Sequence, residues 1–259
     1  RYFNHNVHST RVLDKIFARN FTMQTLDGVL CHNGEFEQQE YRPNYDKSFD
    51  EYDNEVEACY TEGAPAIKSL IPSTLEGCVV RICDMIAYLG KDRQDAVLAG
   101  IIEPDYQFKT EFIGTENAKI INNLTVDIIE HSYGKDYIML SDKAFKDLST
   151  AKKENYEVIY NNDAMNQQYD EIIKPMFEEL YYKLLDDVKS NDNDSIIFKH
   201  HINPIGDALK QYHGSDYSKE EKNQIVVDYI ASMTDDYFID LHKHMFPDSK
   251  YKIEYEPYF

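Results

Sequence analysis

The stretch from Leu75 to Val97 reads LEGCVVRICDMIAYLGKDRQDAV and puts polar side chains at helical spacing. At about 100° per residue, measured from Asp84, Tyr88 lies at about 40°, Asp92 at about 80° and Asp95 at about 20°. Carboxylates suit hard divalent cations, and the neighbours of Asp84 in sequence are apolar rather than charged. The stripe indicates either a solvated face or the wall of a site that holds a metal ion and a phosphate.

The other side of this helix is apolar. Val79, Ile82, Ile86 and Leu89 fall between about 140° and 220° from Asp84. These side chains are predicted to pack on the core. Periodicity alone is compatible with one packed side and one hydrated side, so it leaves the function of the acidic stripe open.

The elements that must position the stripe are predicted to be helices. Apolar residues recur at helical spacing through most of the chain, as in NHNVHSTRVLDKIF near the start and DEIIKPMFEELYYKLLDDV further on. The sequence contains no Gly-rich phosphate loop, no convincing alternating strand pattern and no long internal repeat. The predicted fold class is all-α, a helical bundle.

Three connecting segments carry specific predictions. Residues 35–62 are acidic and aromatic and are predicted to form a solvated insertion, with a short helix after Ser48. The Gly- and Pro-containing segment EGAPAIKSLIPST is predicted to be a loop that leads into the Leu75 helix. Ser218 and Glu221 have capping-box spacing and are predicted to start one last long helix, which Pro247 ends.

The totals exclude some classes of partner. The 259 residues carry a formal net charge of −20, which repels nucleic-acid backbones and anionic membrane surfaces. A small phosphorylated substrate would need a local cation to offset this repulsion. The four cysteines form no CxxC pair, and the sequence has neither a membrane-span pattern nor a signal-peptide pattern, so a cytoplasmic location is expected.

Four blocks of sequence resemble a known family. The segment STLEGCVVRICDMIAYLGKDRQDAVLAGII resembles the last conserved block of the HD-superfamily dGTP/dNTP triphosphohydrolases, and FNHNVHSTRVLDKI and NFTMQTLDGVLCHNGE resemble two earlier helices of that family. Near the C-terminus, VVDYIASMTDDYF is similar to the family's Asp-Tyr-Ile-x-Gly-Met-Thr-Asp segment. The blocks occur in the family's order, which is more specific than one short motif, whereas residues 105–215 match loosely.

The resemblance implies roles for individual residues. Asp84 stands where the family has a metal-ligating Asp, and His5 where it has a His that reaches the substrate phosphates and is needed for cleavage. Tyr88 matches the aromatic residue packed against the deoxyribose, and Asp92 matches the acid that hydrogen-bonds the 3′-hydroxyl. The fold implied is an HD-domain helical bundle with an appended C-terminal helical lobe: residues 1–104 would be the C-terminal part of the HD core, and residues 105–259 a helical phosphohydrolase-associated region.

The resemblance also implies an activity, a cofactor and a partner. The expected reaction is metal-dependent hydrolysis of a deoxynucleoside triphosphate to a deoxynucleoside and tripolyphosphate. The expected cofactor is one divalent metal ion, Mn²⁺ or Mg²⁺ foremost, with Fe, Ni or Zn as alternatives, and a homo-oligomer is implied. The family's other metal ligands, a His and a His-Asp pair, lie before the first matched block, and no His-Asp dipeptide occurs in these 259 residues. Either a portion that precedes this sequence carries them, or this polypeptide lacks three of the four metal ligands.

Other hypotheses stay open on the sequence alone. His8, the His32–Asn33 pair and Asp84 could form a degraded ligand set within the chain. The same fold could carry a phosphomonoesterase or phosphodiesterase, or a non-catalytic nucleotide-sensing helical remnant. The remaining histidines are predicted to have no site role: His200 and His201 in a loop, and His242 and His244 at a helix end, two residues apart, where they cannot share a helical face.

Overall fold

The chain was analysed as a computed structural model, which describes residues 2–17, 19–33, 38–212, 214 and 216–253. It divides into two compact units. The first comprises Arg1–Asp14 and Asn20–Asn161, and the second comprises Lys15–Arg19 and Asn162–Phe259. This division by compactness falls at a different place from the 104/105 family boundary, which stays a prediction.

The first unit is helical. Its helices are α1 (His5–Arg11), α2 (Met23–Leu30), α3 (Phe49–Glu62), α4 (Ala64–Ser69), α5 (Leu75–Leu98), α6 (Asn117–Ser132) and α7 (Asp142–Asn155). A π-helical turn, Val12–Ile16, follows α1, and another, Tyr156–Tyr160, follows α7. Within the described residues the sheet is limited to the antiparallel pair β1 (Glu40–Tyr41) and β2 (Ile138–Met139), in which Glu40 lies opposite Met139.

The second unit is also helical. It contains α8 (Asp163–Gln168), α9 (Lys174–Ser190), α10 (Asn203–Tyr212), α11 (Lys222–Ala231) and α12 (Asp235–Met245), with π-helical stretches at Tyr169–Ile173 and Phe198–Ile202 and a 3₁₀ turn at Tyr217–Lys219. The predicted all-α fold class is confirmed. No helix within the described ranges is long and apolar enough to span a membrane.

Helix α5 carries much of the first unit's core. Its side chains Cys78, Ile82, Met85 and Leu89 are buried together with residues of α6 and α7. At Gly90 an added Cβ would lie 2.6 Å from Cα of Asn117, so only glycine permits this approach of α5 to the start of α6. Val79 is 41% exposed, and its predicted core position is wrong because the buried arc is centred nearer Cys78 and Met85.

The acidic segment is less solvated than predicted. Residues 34–37, including the first part of this insertion, lie outside the described residues. The rest includes the 14-residue helix α3, whose N-terminus is capped by a capping box of Ser48 and Glu51. This helix buries Tyr52 and Cys59. Most other side chains of α3 do face water, and Tyr41 of β1 is a third buried apolar residue of the segment, so the acidic composition hid these core positions.

Two further connections differ from the predictions. The segment predicted as a loop before Leu75 contains the short helix α4, with a proline in its first turn, where the missing N–H costs nothing. The last long helix is divided into α11 and α12. The Ser218–Glu221 capping box is not formed: the Glu221 side chain itself caps α11, accepting a hydrogen bond from the N–H of Gln224 at 2.9 Å, and Thr234 caps α12.

Three histidines of the second unit, His200, His201 and His242, are hydrogen-bonded within that unit. His201 is buried and its Nε2 lies 2.9 Å from the Tyr217 hydroxyl, in a π-helical segment rather than the predicted loop. The hydroxyl of Tyr217 donates to the carboxylate of Asp228 at 2.8 Å, which gives the VVDYIASMTDDYF block a place in this buried network. His242 lies 2.7 Å from Glu179.

Candidate functional site

Helix α5 is fixed at its start and runs 24 residues without a break. The Thr74 side chain caps it by accepting a hydrogen bond from the N–H of Gly77 at 3.1 Å. An added Cβ on Gly77 would lie 2.8 Å from Cβ of Pro72, so the preceding loop packs directly against the first turn. The residues two to four turns further along are therefore held in a defined direction.

The predicted stripe lines a large cavity. Asp84, Tyr88 and Asp92 are each half-buried and, together with His5, contribute to the wall of a cavity of about 970 Å³. The structure thus brings all four predicted site residues together, although their individual roles stay predictions. The volume lies near the top of the range of small-molecule pockets.

Asp95 is not part of this wall. It is exposed, and its carboxylate forms an ion pair with Lys91 four residues earlier on the same helix. The helical wheel placed it beside Asp84, but it lies three turns further along the axis. It therefore belongs to the hydrated surface.

His5 reaches the cavity from the first turn of α1. The following residue, Asn6, is buried and donates from Nδ2 to the backbone oxygen of Leu30 at 2.7 Å, which joins α1 to the end of α2. The ring of His5 lies edge-on to that of His32, with 5.1 Å between centroids. Buried Asn33 lines the same cavity, so the end of α2 and the start of α1 together form one corner of the site.

Sequence analysis did not identify the second group of residues that line this cavity. Lys152 and Lys153 of α7, with Tyr156 and Tyr160 of the π-helical turn, line the same cavity. The signal was available in AKKENYEVIY: two adjacent cations in a chain of net charge −20, followed by tyrosines at positions three and seven from Lys153. Insertion of a π-helical turn in an α-helix is frequent at functional sites.

A buried polar clamp holds the two walls together. Asn155 donates from Nδ2 to the backbone oxygen of Leu89 at 2.9 Å and accepts from Nε of Arg93 at 2.8 Å. The Arg93 guanidinium also lies 3.8 Å from the ring centroid of Phe108 and 3.5 Å from the carboxylate of Glu154. Since these groups are buried, the end of α7 cannot move from α5 without leaving them unpaired.

One direct contact crosses the cavity. The Tyr160 hydroxyl donates a hydrogen bond to Oδ2 of Asp92. Burial raises the pKa of the Tyr160 phenol, and the neighbouring charge of Asp92 raises it further, so the phenol keeps its proton at neutral pH. Asp92 is thereby oriented by a donor that sequence analysis did not identify.

A complete metal site is not present in the described part of the chain. Within it, no three His, Cys, Asp or Glu side chains are grouped so that they could hold a metal ion. The alternative ligand set is therefore not assembled: His8 is buried with its ring 5.2 Å from that of Phe3, and Nδ1 of His32 donates to the backbone oxygen of Val29 at 2.6 Å. Asp84 offers one carboxylate to the cavity, so a metal would need ligands from other residues.

Comparison with known proteins gives a domain match and several relatives. Residues 138–244 match the phosphohydrolase-associated domain. A deoxyguanosinetriphosphate triphosphohydrolase-like protein of Caldanaerobacter subterraneus subsp. tengcongensis is 28% identical over 177 residues, which is 68% of this chain and 47% of the relative. Proteins of the same description in Clostridium perfringens and Clostridium tetani are 27% and 24% identical over 91% and 94% of the chain, and 58% and 60% of the relatives.

The chain thus spans about half to three fifths of the length of these relatives. No solved structure matches it significantly. The chain is all-α, and over residues 138–244 it is similar to the phosphohydrolase-associated domain, so its similarity is to phosphohydrolases. More narrowly, the resemblance to the HD-superfamily dNTP triphosphohydrolases is confirmed, and the chain is a distant relative of deoxyguanosinetriphosphate triphosphohydrolase-like proteins.

Proposed function

We propose that the cavity binds a deoxynucleoside triphosphate and supports its hydrolysis to a deoxynucleoside and tripolyphosphate. The observation that carries this proposal is the shared lining of one cavity: sugar-compatible groups of α5 line it together with Lys152 and Lys153 of α7. A triphosphate is strongly anionic, and in a chain of net charge −20 the cavity contributes two lysines, of which Lys153 also lies 3.8 Å from the carboxylate of Glu157 in the same lining. The names of the relatives supply the substrate class.

Each wall would have its own task. Tyr88 would pack against the deoxyribose, and Asp92, oriented by Tyr160, would accept a hydrogen bond from the 3′-hydroxyl. The lysines would hold the phosphate oxygens by charge-assisted hydrogen bonds. These contacts would hold the α-phosphorus near His5. Such fixed orientation of the reacting groups can supply much of an enzyme's rate enhancement.

The reaction would break the bond between the α-phosphorus and the 5′-oxygen. Water adds its oxygen to the α-phosphorus and releases a proton to solvent, and the 5′-oxygen leaves with the deoxynucleoside. A protonated His5 would give its proton to that leaving oxygen as general acid. A divalent metal ion stays the predicted cofactor, with Asp84 as one ligand, and homo-oligomer formation likewise stays a prediction.

The test is product analysis with four purified proteins. Tripolyphosphate released from each dNTP with Mn²⁺ or Mg²⁺ is measured by ion-exchange chromatography for the wild type and for Asp84→Ala, His5→Ala and Asp95→Ala. Asp95 is the matched control because it lies on the same helix but outside the cavity. We expect turnover to fall at least about 100-fold in the first two variants and to be unchanged in Asp95→Ala. Equal turnover in Asp84→Ala and wild type would contradict the assignment.

A second function is favoured by the incomplete metal site. With no three-ligand group in the described residues, the chain could bind dNTPs without turnover. Calorimetry with each dNTP would then give saturable binding, weakened at least about tenfold by Lys152→Ala/Lys153→Ala, while no tripolyphosphate is released. Orthophosphate or an opened diester as product would instead indicate an HD-type phosphomonoesterase or phosphodiesterase.

A further inference from the structure

A second, smaller cavity in the first unit contains an unusual cation. Arg81 lies on α5 three residues before Asp84 and is only 1% exposed. Its Nη1 donates to the backbone oxygen of Leu70 at 2.5 Å. Its Nε and Nη2 are buried and have no hydrogen-bond partner among the residues that the structure describes.

The two unpartnered nitrogens lie on the same edge of the guanidinium. An N–H on Nε and an N–H on Nη2 point in parallel and form the planar fork that binds carboxylate or phosphate with two hydrogen bonds. An arginine keeps its charge throughout the accessible pH range. Arg81 therefore presents a fixed positive charge and an intact bidentate donor pair.

Arg81 is one of the residues that line a cavity of about 220 Å³, together with Gln38, Glu40, Tyr41, Arg42, Leu70, Ile71 and Pro72. Gln38 can offer an amide donor and Arg42 a second cation. The Arg42 guanidinium is already engaged, since its Nε lies 2.5 Å from Glu40 and its plane covers Tyr137 at 4.1 Å. Glu40 is thereby neutralised, and among the described residues Nε and Nη2 of Arg81 have no hydrogen-bonded carboxylate.

Energetics argue against an empty fork. A buried charge without a counter-charge is costly, and buried groups with unmade hydrogen bonds are rare in native proteins. A bound anion would neutralise the charge and satisfy both nitrogens. We propose that this cavity is an anion-binding site in which Arg81 holds one oxyanion group, a phosphate or a carboxylate, by the Nε–Nη2 edge.

The size of the cavity limits the ligand. About 220 Å³ is below the range for drug-sized ligands, so the site would take a single oxyanion group and not a whole nucleoside. The site is distinct from the 970 Å³ cavity, since the two share no lining residue. The proposal consequently stands whether or not the chain hydrolyses nucleotides.

The decisive experiment observes the Arg81 side chain directly. The chain has six arginines, so the Nε–H signals of ¹⁵N-labelled protein are few, and that of Arg81 is identified by its absence in Arg81→Lys. Inorganic phosphate and, separately, acetate are titrated to about 10 mM in buffer without other oxyanions. A saturable shift of the Arg81 signal with phosphate supports a phosphate ligand. A shift with acetate alone supports a carboxylate, from a metabolite or from another protein segment. No shift with either anion overturns the proposal.

A stability measurement separates this site from the lysine wall. At a phosphate concentration of about five times the Kd, the melting temperature of the wild type should rise by about 2–4 °C. The rise should persist in Lys152→Ala/Lys153→Ala and disappear in Arg81→Met, whose side chain has a similar length but no charge. The opposite pattern, a rise that depends on the lysines alone, would reject the site at Arg81. Should Arg81→Met fail to fold, the titration of the wild type still decides.

Discussion

Two buried cations in the first unit have opposite surroundings. Lys47 is 5% exposed, and its Nζ contacts Asp27 at 2.7 Å, Glu55 at 2.7 Å and the backbone oxygen of Ile71 at 2.5 Å. Arg81 is even more buried but has no carboxylate partner among the described residues. Both cations bond to neighbouring carbonyls of the loop before α5, yet only one charge is neutralised.

The difference separates a structural ion pair from a binding group. Lys47 connects α2, the middle of α3 and the loop at Ile71, and Asp27 extends this network by accepting from the N–H of Ser73 at 2.6 Å. All three contacts of the Lys47 ammonium group are with residues of the chain itself, so its three hydrogen-bond donors are used. The Arg81 fork lacks such partners. Burial alone therefore does not show whether a charged side chain is structural or binds a ligand; its counter-charge must also be located.

The largest expected effect is the loss of Lys47. Lys47→Met would leave Asp27 and Glu55 without their cation, and breaking a buried pair by removing one partner costs about 3–5 kcal/mol. Urea unfolding at pH 7 measures the change in unfolding free energy. The matched control is Lys119→Met, which removes an exposed lysine paired with Glu116 at 3.1 Å and should cost less than about 1 kcal/mol. Similar losses in both variants would mean that Lys47 has no special structural role.

A smaller effect is expected at Arg81. In anion-free buffer Arg81→Met removes a charge that has no counter-charge, and replacing a buried charge by an apolar side chain of similar size is often neutral or stabilising. The lost hydrogen bond to Leu70 costs about 1 kcal/mol, so the unfolding free energy should change by no more than about 1 kcal/mol. A loss as large as that of Lys47→Met would indicate a counter-charge outside the described residues and would remove the contrast between the two cations.

Sequence periodicity predicted the helices that carry strong apolar stripes. Helix α5 starts at Leu75, after its Thr74 cap, and Asp84 and Asp92 line the cavity while the core covers the other side of the helix. The break between α11 and α12 was missed because the wheel pattern continues through residues 232–234, whereas Thr234 starts a new hydrogen-bonded cap. Local pattern fixes which face is buried better than it fixes where a helix ends.

Only one wall of the candidate site could be predicted. Asp84, Tyr88 and Asp92 belong to one helix, so their spacing alone brings them together. The lysine wall depends on the clamp between Asn155 and Leu89, which are 66 residues apart in sequence, and no local rule pairs them. Arg81 and Lys47 were likewise invisible, because their importance lies in partners, or the lack of them, that arise only when α5 packs against α2 and the loop before it.

The smallest effect should appear at alkaline pH and distinguishes the two cations by their titration. Burial lowers the pKa of Lys47, but the neighbouring Cys31 and the hydrogen bonds to Asp27 and Glu55 outweigh it, so the net pKa is raised above the ordinary 10.5. Because the folded chain holds this proton more tightly than the unfolded chain, the stability from Lys47 is complete below about pH 10.5 and is lost as the pH rises through the folded-state pKa.

The variant Lys47→Arg keeps the charge but does not titrate in this range. Its unfolding free energy should therefore fall less steeply with pH above pH 10.5 than that of the wild type, and the two slopes should differ by less than about 1.4 kcal/mol per pH unit. Arg81→Met should keep the wild-type slope, since neither arginine nor methionine titrates in this range. An unchanged slope in Lys47→Arg would show that Lys47 is not held by its two carboxylates in solution.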